Sequence, residues 1–251
     1  MTGSGRTVSS ARALTVAMEP VKTCPAGSVE ALASRYRVVT WDERGHGETV
    51  SRPEPFTYWD LARDCLGLLD HLGIERAVVG GMSQGGFIAL RLALIAPERV
   101  RGLVLLDTQA GPERPELVPL YQAMLDRWLE QGPTEEVADA TAGLIVGRPD
   151  LNQVWTDRWR AREREDIRYP GRALLTRDDI TDRLGEIVAP ALVVHGTDDA
   201  AIGMDRAEVL AAGLPGCPGV VVIGGGTHSA NLTHPGPVNR AILDFLDGLP
   251  G

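Results

Sequence analysis

The chain of 251 residues is poor in several features that would fix its class at once. It has three cysteines, Cys24, Cys65 and Cys217, an odd and scattered set with no C-x-x-C pair. That excludes a disulfide framework and offers no zinc-site spacing. No run approaches the ~18 apolar residues of a membrane helix. The first ten residues, MTGSGRTVSS, lack the apolar stretch of a secretion signal. Cationic side chains are outnumbered, 25 Lys and Arg against 34 Asp and Glu, for a formal net charge of −9. Nucleic acids and anionic membranes both reward basic patches, so neither is expected as a partner. The expectation is a cytoplasmic chain with reduced thiols.

What is present is a core and a rhythm. Hydrophobic residues make up 43% of the chain, enough for one sizeable α/β domain with an insertion, or for two small domains. Short β-branched runs recur at Tyr36–Trp41, Ala77–Val79, Leu103–Leu106, Leu192–Val194 and Val220–Ile223. They are nearly continuous rather than alternating, which a parallel sheet buried on both faces requires. Helical period separates them: Leu61, Cys65, Leu68, Leu69 and Leu72 share one face, as do Val238, Ile242, Phe245, Leu246 and Leu249. Cys65 on such a stripe reads as a buried free thiol. Gln84–Ala96 is apolar almost all round, which suits a central helix. The alternation predicts a doubly wound, mostly parallel sheet. Residues 1–110 and 188–251 form its core in this reading, and 111–187 form a helical insertion over the sheet's C-terminal edge. In that insertion the charge run Arg162–Arg168 reads as a solvated helix face. Trp128, Trp155 and Trp159 either line an apolar pocket or anchor the helices, the commoner role of tryptophan.

The run Gly80-Gly81-Met82-Ser83-Gln84-Gly85-Gly86 follows a strand and opens a helix. A serine hydroxyl becomes a useful nucleophile when it is exposed at a sheet edge beside a base. A turn tight enough to expose it strains the serine's backbone, and Cβ atoms near it would meet neighbouring elements, so glycines surround it. The N-terminus of the following helix offers backbone N–H groups to a developing oxyanion, with Gln84 as the candidate donor.

A serine at neutral pH needs a base, and the base needs a carboxylate to orient it. Of five histidines, His46 lies in a turn after a strand, where a structural hydrogen bond is expected. His71 ends an amphipathic helix, His195 ends a strand and packs, and His234 precedes Pro235 at a helix start. His228 leaves the strand Val220–Ile223 through Gly224-Gly225-Gly226-Thr227, and that strand edge is where catalytic groups gather in open parallel sheets. His228 is therefore the candidate base. Asp199, Asp198 and Asp107 all follow strands and are the candidate acids, and the two not used would bond backbone amides in their turns.

With these residues placed, the chain resembles the α/β-hydrolase superfamily from about residue 28 onward. RVVTWDERGHG looks like its fourth strand and the turn after it, GGMSQGG like its nucleophile turn, and PALVVHGTDD like its acid strand. His228, with Pro235, Asn239 and Phe245 after it, looks like its histidine loop and final helix. The acid usually lies three residues past the glycine in that family, which favours Asp199. The resemblance implies a Ser83–His228–Asp199 triad, a helical cap at 111–187, a small-molecule substrate, and neither cofactor nor metal. One departure stands out. The family carries a His-Gly pair after its third strand, which supplies an oxyanion donor. Here the matching strand, Leu14–Met18, is followed by Glu19-Pro20-Val21-Lys22-Thr23-Cys24-Pro25, and Pro20 has no N–H to give.

The expected function is hydrolysis of a small carboxylic ester or lactone. Hydrolysis of a C–C bond or cofactor-free perhydrolysis by the same residues is the alternative within enzymes. A non-catalytic binding protein with a degraded oxyanion loop is the alternative outside them. Oligomeric state is not legible.

Overall fold

The computed structural model describes residues 28–250 and the backbone of Ala13–Ala17. The segment 18–27, which holds Cys24 and the departure at Glu19–Pro25, lies outside the described residues.

Six strands form one sheet: β1 (Ala13–Ala17), β2 (Arg37–Trp41), β3 (Ala77–Met82), β4 (Val100–Leu106), β5 (Ala191–Gly196) and β6 (Val220–Ile223). Their order is β2-β1-β3-β4-β5-β6, and every pairing is parallel. The sequence reading of a doubly wound parallel sheet holds. Chain order reverses between β1 and β3, so a crevice opens beyond their carboxyl ends, where such sheets bind ligands.

Among the described residues, ten α-helices accompany the strands. The helices α1 (Ser28–Ala33), α2 (Tyr58–His71) and α3 (Gln84–Ile95) precede β4. Between β4 and β5 come α4 (Val118–Gln131), α5 (Glu135–Ile145), α6 (Pro149–Arg160) and α7 (Arg168–Leu175), with no strand among them. After β5 follow α8 (Met204–Gly213), α9 (Ala230–Thr233) and α10 (Pro235–Gly248).

The continuous apolar strands are explained by two cores. Leu103 and Leu105 of β4 pack with Leu61, Cys65 and Leu69 of α2, Ile88 and Leu92 of α3, and Leu210 of α8. Val104 and Leu106, pointing the other way as the two-residue strand period demands, pack with Leu32 of α1 and Val238, Ile242 and Leu246 of α10. A strand covered on both faces has no polar side. Thr57 starts α2 with a reciprocal capping box to Asp60, which satisfies two helix-end donors.

The helix α3 is buried along nearly its whole length and includes one charge, Arg91. That guanidinium is 1% exposed and pairs with Asp178 at 2.7 Å. It also lies over the rings of Tyr58 and Trp59. Buried charge persists only where it is paired in this way, and the pair ties the central helix to the segment leaving α7.

One expectation fails. The charge run Arg162–Arg168 is not a continuous solvated helix face. The chain leaves α6 at Ala161, turns, and forms a short 3₁₀ segment, Arg164–Ile167. Glu163, Arg164 and Glu165 are exposed, but Arg162 reaches inward to the carbonyl oxygens of Gly45 at 3.1 Å and Gly47 at 3.4 Å. Two turn carbonyls after β2, with Asp166 at 3.0 Å, account for a cation that the pattern alone assigns to water.

Candidate active site

Ser83 lies between β3 and α3 with φ 50° and ψ −110°. A positive φ at a residue with a Cβ costs about 1–3 kcal/mol and persists where surroundings over-determine it. Here they do. The Ser83 N–H donates to the Leu106 carbonyl at 2.9 Å. Its own carbonyl accepts from Gly86 N–H at 3.0 Å and from the Thr108 hydroxyl at 2.7 Å. A Cβ on Gly86 would stand 2.5 Å from Thr108, and one on Gly80 would stand 2.3 Å from the Val104 carbonyl oxygen. The close approach at Gly86 fits the sequence argument, and the tight position at Gly80 adds to it. Gln84 is the first residue of α3, so no carbonyl within the helix takes its N–H.

The loop after β6 carries His228, and the loop after β5 carries Asp199. His228 Nδ1 lies 2.9 Å from Asp199 Oδ2, with the two side chains 4% and 1% exposed. The other carboxylate oxygen, Oδ1, accepts from the N–H groups of Ala201 and Ile202, each at 2.8 Å. Three donors thus hold Asp199 in one orientation. An aspartate accepting at Oδ2 places the imidazole proton on Nδ1 and leaves Nε2 as the nitrogen able to accept a proton.

The other two aspartates do not face His228. Asp198 accepts from the neighbouring Thr197 hydroxyl at 2.9 Å, where the sequence reading expected a backbone amide. Asp107 does bond backbone amides: Oδ1 accepts from Gly196 N–H at 2.9 Å and Oδ2 from Ala230 N–H at 3.1 Å. It therefore joins the end of β5 to the helix after His228. Burial pushes its carboxyl up to about 7, with nearby Asp199 adding to the rise. The two amide bonds and His228 oppose that rise.

His195 fills the space beneath the pair. Fully buried, it donates from Nε2 to the Ile202 carbonyl at 2.8 Å. The same nitrogen stands 3.4 Å from Asp199 Oδ2. Asp107, His195 and Asp199 bring ligand-type atoms within 4.8 Å of one another. Their carboxylate oxygens already face N–H protons, however, which is the chemistry of an anchored carboxylate and not of a cation site. The remaining histidines lie where the sequence put them. His46 bonds the Arg44 carbonyl at 3.2 Å, His71 ends α2, and His234 stands at the start of α10 without a side-chain bond to it. Cys65 is a buried free thiol that burial pushes up to about 12.

Ser83, Gln84 and His228 open onto one cavity of about 270 Å³. Its far walls come from the helices inserted between β4 and β5. Trp128, Trp155 and Trp159 line it and also pack on one another, with ring centroids 5.8 and 6.1 Å apart. Both roles weighed for these tryptophans therefore apply together. Pattern reading missed a polar wall made by Gln109, Glu113, Tyr121 and Arg177. The Arg177 guanidinium donates to the carbonyls of Gly111 at 3.1 Å and Leu174 at 2.7 Å, pairs with Glu113 at 3.4 Å and lies over the Phe87 ring. Burial lowers its pKa and raises that of Tyr121. The composition around Arg177 resembles any surface loop, so no local signal could have found this wall.

Comparison with known proteins gives concordant results. A family described as "alpha/beta hydrolase fold" matches residues 23–235. A 2-hydroxy-6-oxononadienedioate/2-hydroxy-6-oxononatrienedioate hydrolase from Paraburkholderia phymatum is 35% identical over 231 residues, 87% of this chain and 80% of that protein. A Caulobacter vibrioides protein provisionally named carbamate hydrolase RutD is 30% identical over 232 residues, 89% of this chain and 85% of its own. Among solved structures, the enol-lactonase of Burkholderia xenovorans superimposes with a TM-score of 0.85 at 25% identity, covering 97% of this chain and 94% of its own. A thermophilic esterase from Thermogutta terrifontis superimposes with a TM-score of 0.81 at 26% identity, covering 94% and 89%.

Proposed function

The chain belongs to the α/β-hydrolase fold family, and from that premise we propose that it is a serine hydrolase cleaving a small carboxylic ester or lactone through an acyl-enzyme on Ser83. One observation carries the reading. A serine held in strained backbone geometry shares a cavity with an imidazole whose far nitrogen sits 2.9 Å from a buried, triply bonded carboxylate. A structural role needs none of these three to coincide.

In this reading His228 Nε2 takes the Ser83 hydroxyl proton as Oγ attacks the carbonyl carbon. Asp199 keeps the proton on Nδ1 and stabilises the imidazolium that forms. The N–H of Gln84 donates to the oxyanion, aided by the positive end of the α3 dipole. His228 then returns the proton to the leaving alkoxide. Water, deprotonated by the same imidazole, releases the acid from Ser83. The inserted helices over 111–187 act as the cap, with their tryptophans accepting the apolar part of the substrate. The esterase and enol-lactonase likenesses support the ester or lactone class. The 35% identical relative favours, as a second reading, cleavage of a C–C bond beside a carbonyl with the same residues.

Ser83→Ala is expected to abolish turnover of p-nitrophenyl acetate and butyrate and labelling by a fluorophosphonate probe. Labelling that persists in Ser83→Ala removes Ser83 as the nucleophile. A wild-type protein that neither turns over nor labels favours a binding role.

A further inference from the structure

Five tryptophans occur in the chain, and three of them, Trp128, Trp155 and Trp159, line the cavity that holds Ser83 and His228. The proposed mechanism asks of that wall only that it be apolar. Leu125, Leu144 and Ile145 already supply aliphatic lining, so indoles gathered at one place serve something more particular.

The inserted helices fix where that place is. The end of α5 is bonded to the histidine loop, Val146 to Thr227 and Ile145 to Ser229. The start of α5 lies beside the end of α4, where Arg127 pairs with Glu136 at 3.0 Å. Helix α4 therefore leads away from the His228–Asp199 pair, and α5 returns to it. Tyr121, near the start of α4, agrees with this course. Burial raises its phenol, and the negative charges of Glu113 and Asp199 add to the rise. Trp128 stands about two turns after Tyr121, roughly 10 Å further along the helix at 1.5 Å per residue. The indoles thus form the end of the cavity remote from the reacting groups.

Trp159 packs on both Trp128 and Trp155, with the ring planes inclined at 70° and 48°. Inclined pairs cover one another only in part, so the three half-buried indoles keep ring surface towards the cavity they line. An indole face is the negative side of a quadrupole and attracts the C–H edge of another aromatic ring. Such a pair is worth about two- to tenfold in affinity beyond the area buried. Indole faces attract cations as well, but a cationic guest would meet the Arg158 guanidinium, which already lies over Trp155 at 5.3 Å.

We propose that Trp128, Trp155 and Trp159 form a specificity-determining aromatic wall, and that the substrate carries an aryl ring set apart from its scissile carbonyl by a flexible spacer. The inference rests on Ser83 hydrolysis and narrows its substrate class to esters or lactones with such a distal ring. A ring joined directly to the carbonyl stays beside the His228–Asp199 pair, short of the indoles.

The test compares kcat/KM within two pairs of methyl esters that differ only in aromaticity. The distal pair is methyl 5-phenylpentanoate and methyl 5-cyclohexylpentanoate, and the proximal pair is methyl benzoate and methyl cyclohexanecarboxylate. The wild type is expected to favour the phenyl member of the distal pair by about threefold or more. Trp128→Leu, with Trp155→Leu as a second variant should the first not fold, is expected to bring the distal ratio close to one and to leave the proximal ratio where it was. Trp128→Phe, which keeps an aromatic face, should retain more of the preference than Trp128→Leu. Each ratio is internal to one preparation, so a partly unfolded variant does not distort it. A wild-type distal ratio near one, a distal ratio that survives both leucine substitutions, a proximal ratio that falls as far as the distal one, or a Trp128→Phe protein no better than Trp128→Leu overturns the proposal while serine hydrolysis stands. A protein labelled by the fluorophosphonate that cleaves none of the four esters overturns the distal-ring class alone. One that neither cleaves nor labels removes both readings.

Discussion

Asp199→Asn preserves the shape of the side chain and replaces one acceptor by a donor, and the structure dictates which end becomes the donor. Oδ1 accepts two backbone N–H groups, from Ala201 and Ile202, whereas Oδ2 faces His228 Nδ1. Placing the amide nitrogen at the Oδ1 position would leave two buried donors unpaired, at about 1–3 kcal/mol each. The nitrogen therefore takes the Oδ2 position and donates to Nδ1. His195 does not oppose this, because its Nε2 proton is already given to the Ile202 carbonyl at 2.8 Å. With Nδ1 forced to accept, the imidazole proton moves to Nε2, and in the proposed mechanism Ser83 then meets an N–H where it needs a lone pair. For this exchange in a Ser-His-Asp arrangement the expected loss in kcat is about 10⁴, or about 5 kcal/mol in the barrier. The assay is kcat on p-nitrophenyl butyrate together with the rate of fluorophosphonate labelling, with circular dichroism to show an unchanged fold. Asp198→Asn is the control, since the Asp198 side chain bonds only a neighbouring hydroxyl among the described residues, and it should change kcat by less than about twofold by the usual behaviour of surface substitutions. An Asp199→Asn protein within tenfold of wild type, or an Asp198→Asn protein that is the damaged one, refutes the reasoning.

Asp107 predicts a pH dependence of stability. Its carboxyl is raised to about 7 in the fold, against about 3.9 in an unfolded chain, so the folded state binds the proton more tightly. Stability is then highest below the unfolded value and falls as pH rises to about 7, by roughly 4 kcal/mol across the window. Asp107→Asn removes this titration and loses one backbone acceptor, so it should be less stable than wild type at pH 5, with the gap narrowing or reversing at pH 9. Denaturant titrations at the two pH values check this, and an unchanged gap contradicts it. The Cys65 thiol, buried and raised to about 12, should resist a thiol reagent in the native protein and react only after denaturation. Rapid native labelling at Cys65, read by peptide mass mapping, would refute that.

The parts legible in the sequence are those whose cause is local. The Ser83 turn declares itself because strained backbone between a strand and a helix demands small neighbours, and Gly86 against Thr108 shows the constraint in space. The strands are legible because burial on both faces leaves no polar position to confuse the pattern. Asp199 and Asp198 are adjacent in an irregular loop, and what separates them is the pair of amides from Ala201 and Ile202, which only the folded loop supplies. Arg162 reads as a surface charge because its partners, the carbonyls of Gly45 and Gly47, lie more than a hundred residues away. The polar wall around Arg177 and Gln109 is hidden for the same reason, since it is assembled by contacts between the inserted helices and the sheet.

The end of α5 is bonded to the histidine loop on both sides of His228. The Thr227 hydroxyl donates to the Val146 carbonyl at 2.8 Å, and the Ser229 hydroxyl donates to the Ile145 carbonyl at 3.0 Å. Lengthening, shortening or rotating α5 would therefore drag the imidazole with it. For anyone diversifying this scaffold, α5 is poor ground, whereas α4 and α6 present Trp128, Trp155 and Trp159 to the same chamber without a bond to the histidine loop among the described residues. A library confined to those two helices would change what the chamber admits and leave the His228–Asp199 pair mechanically undisturbed.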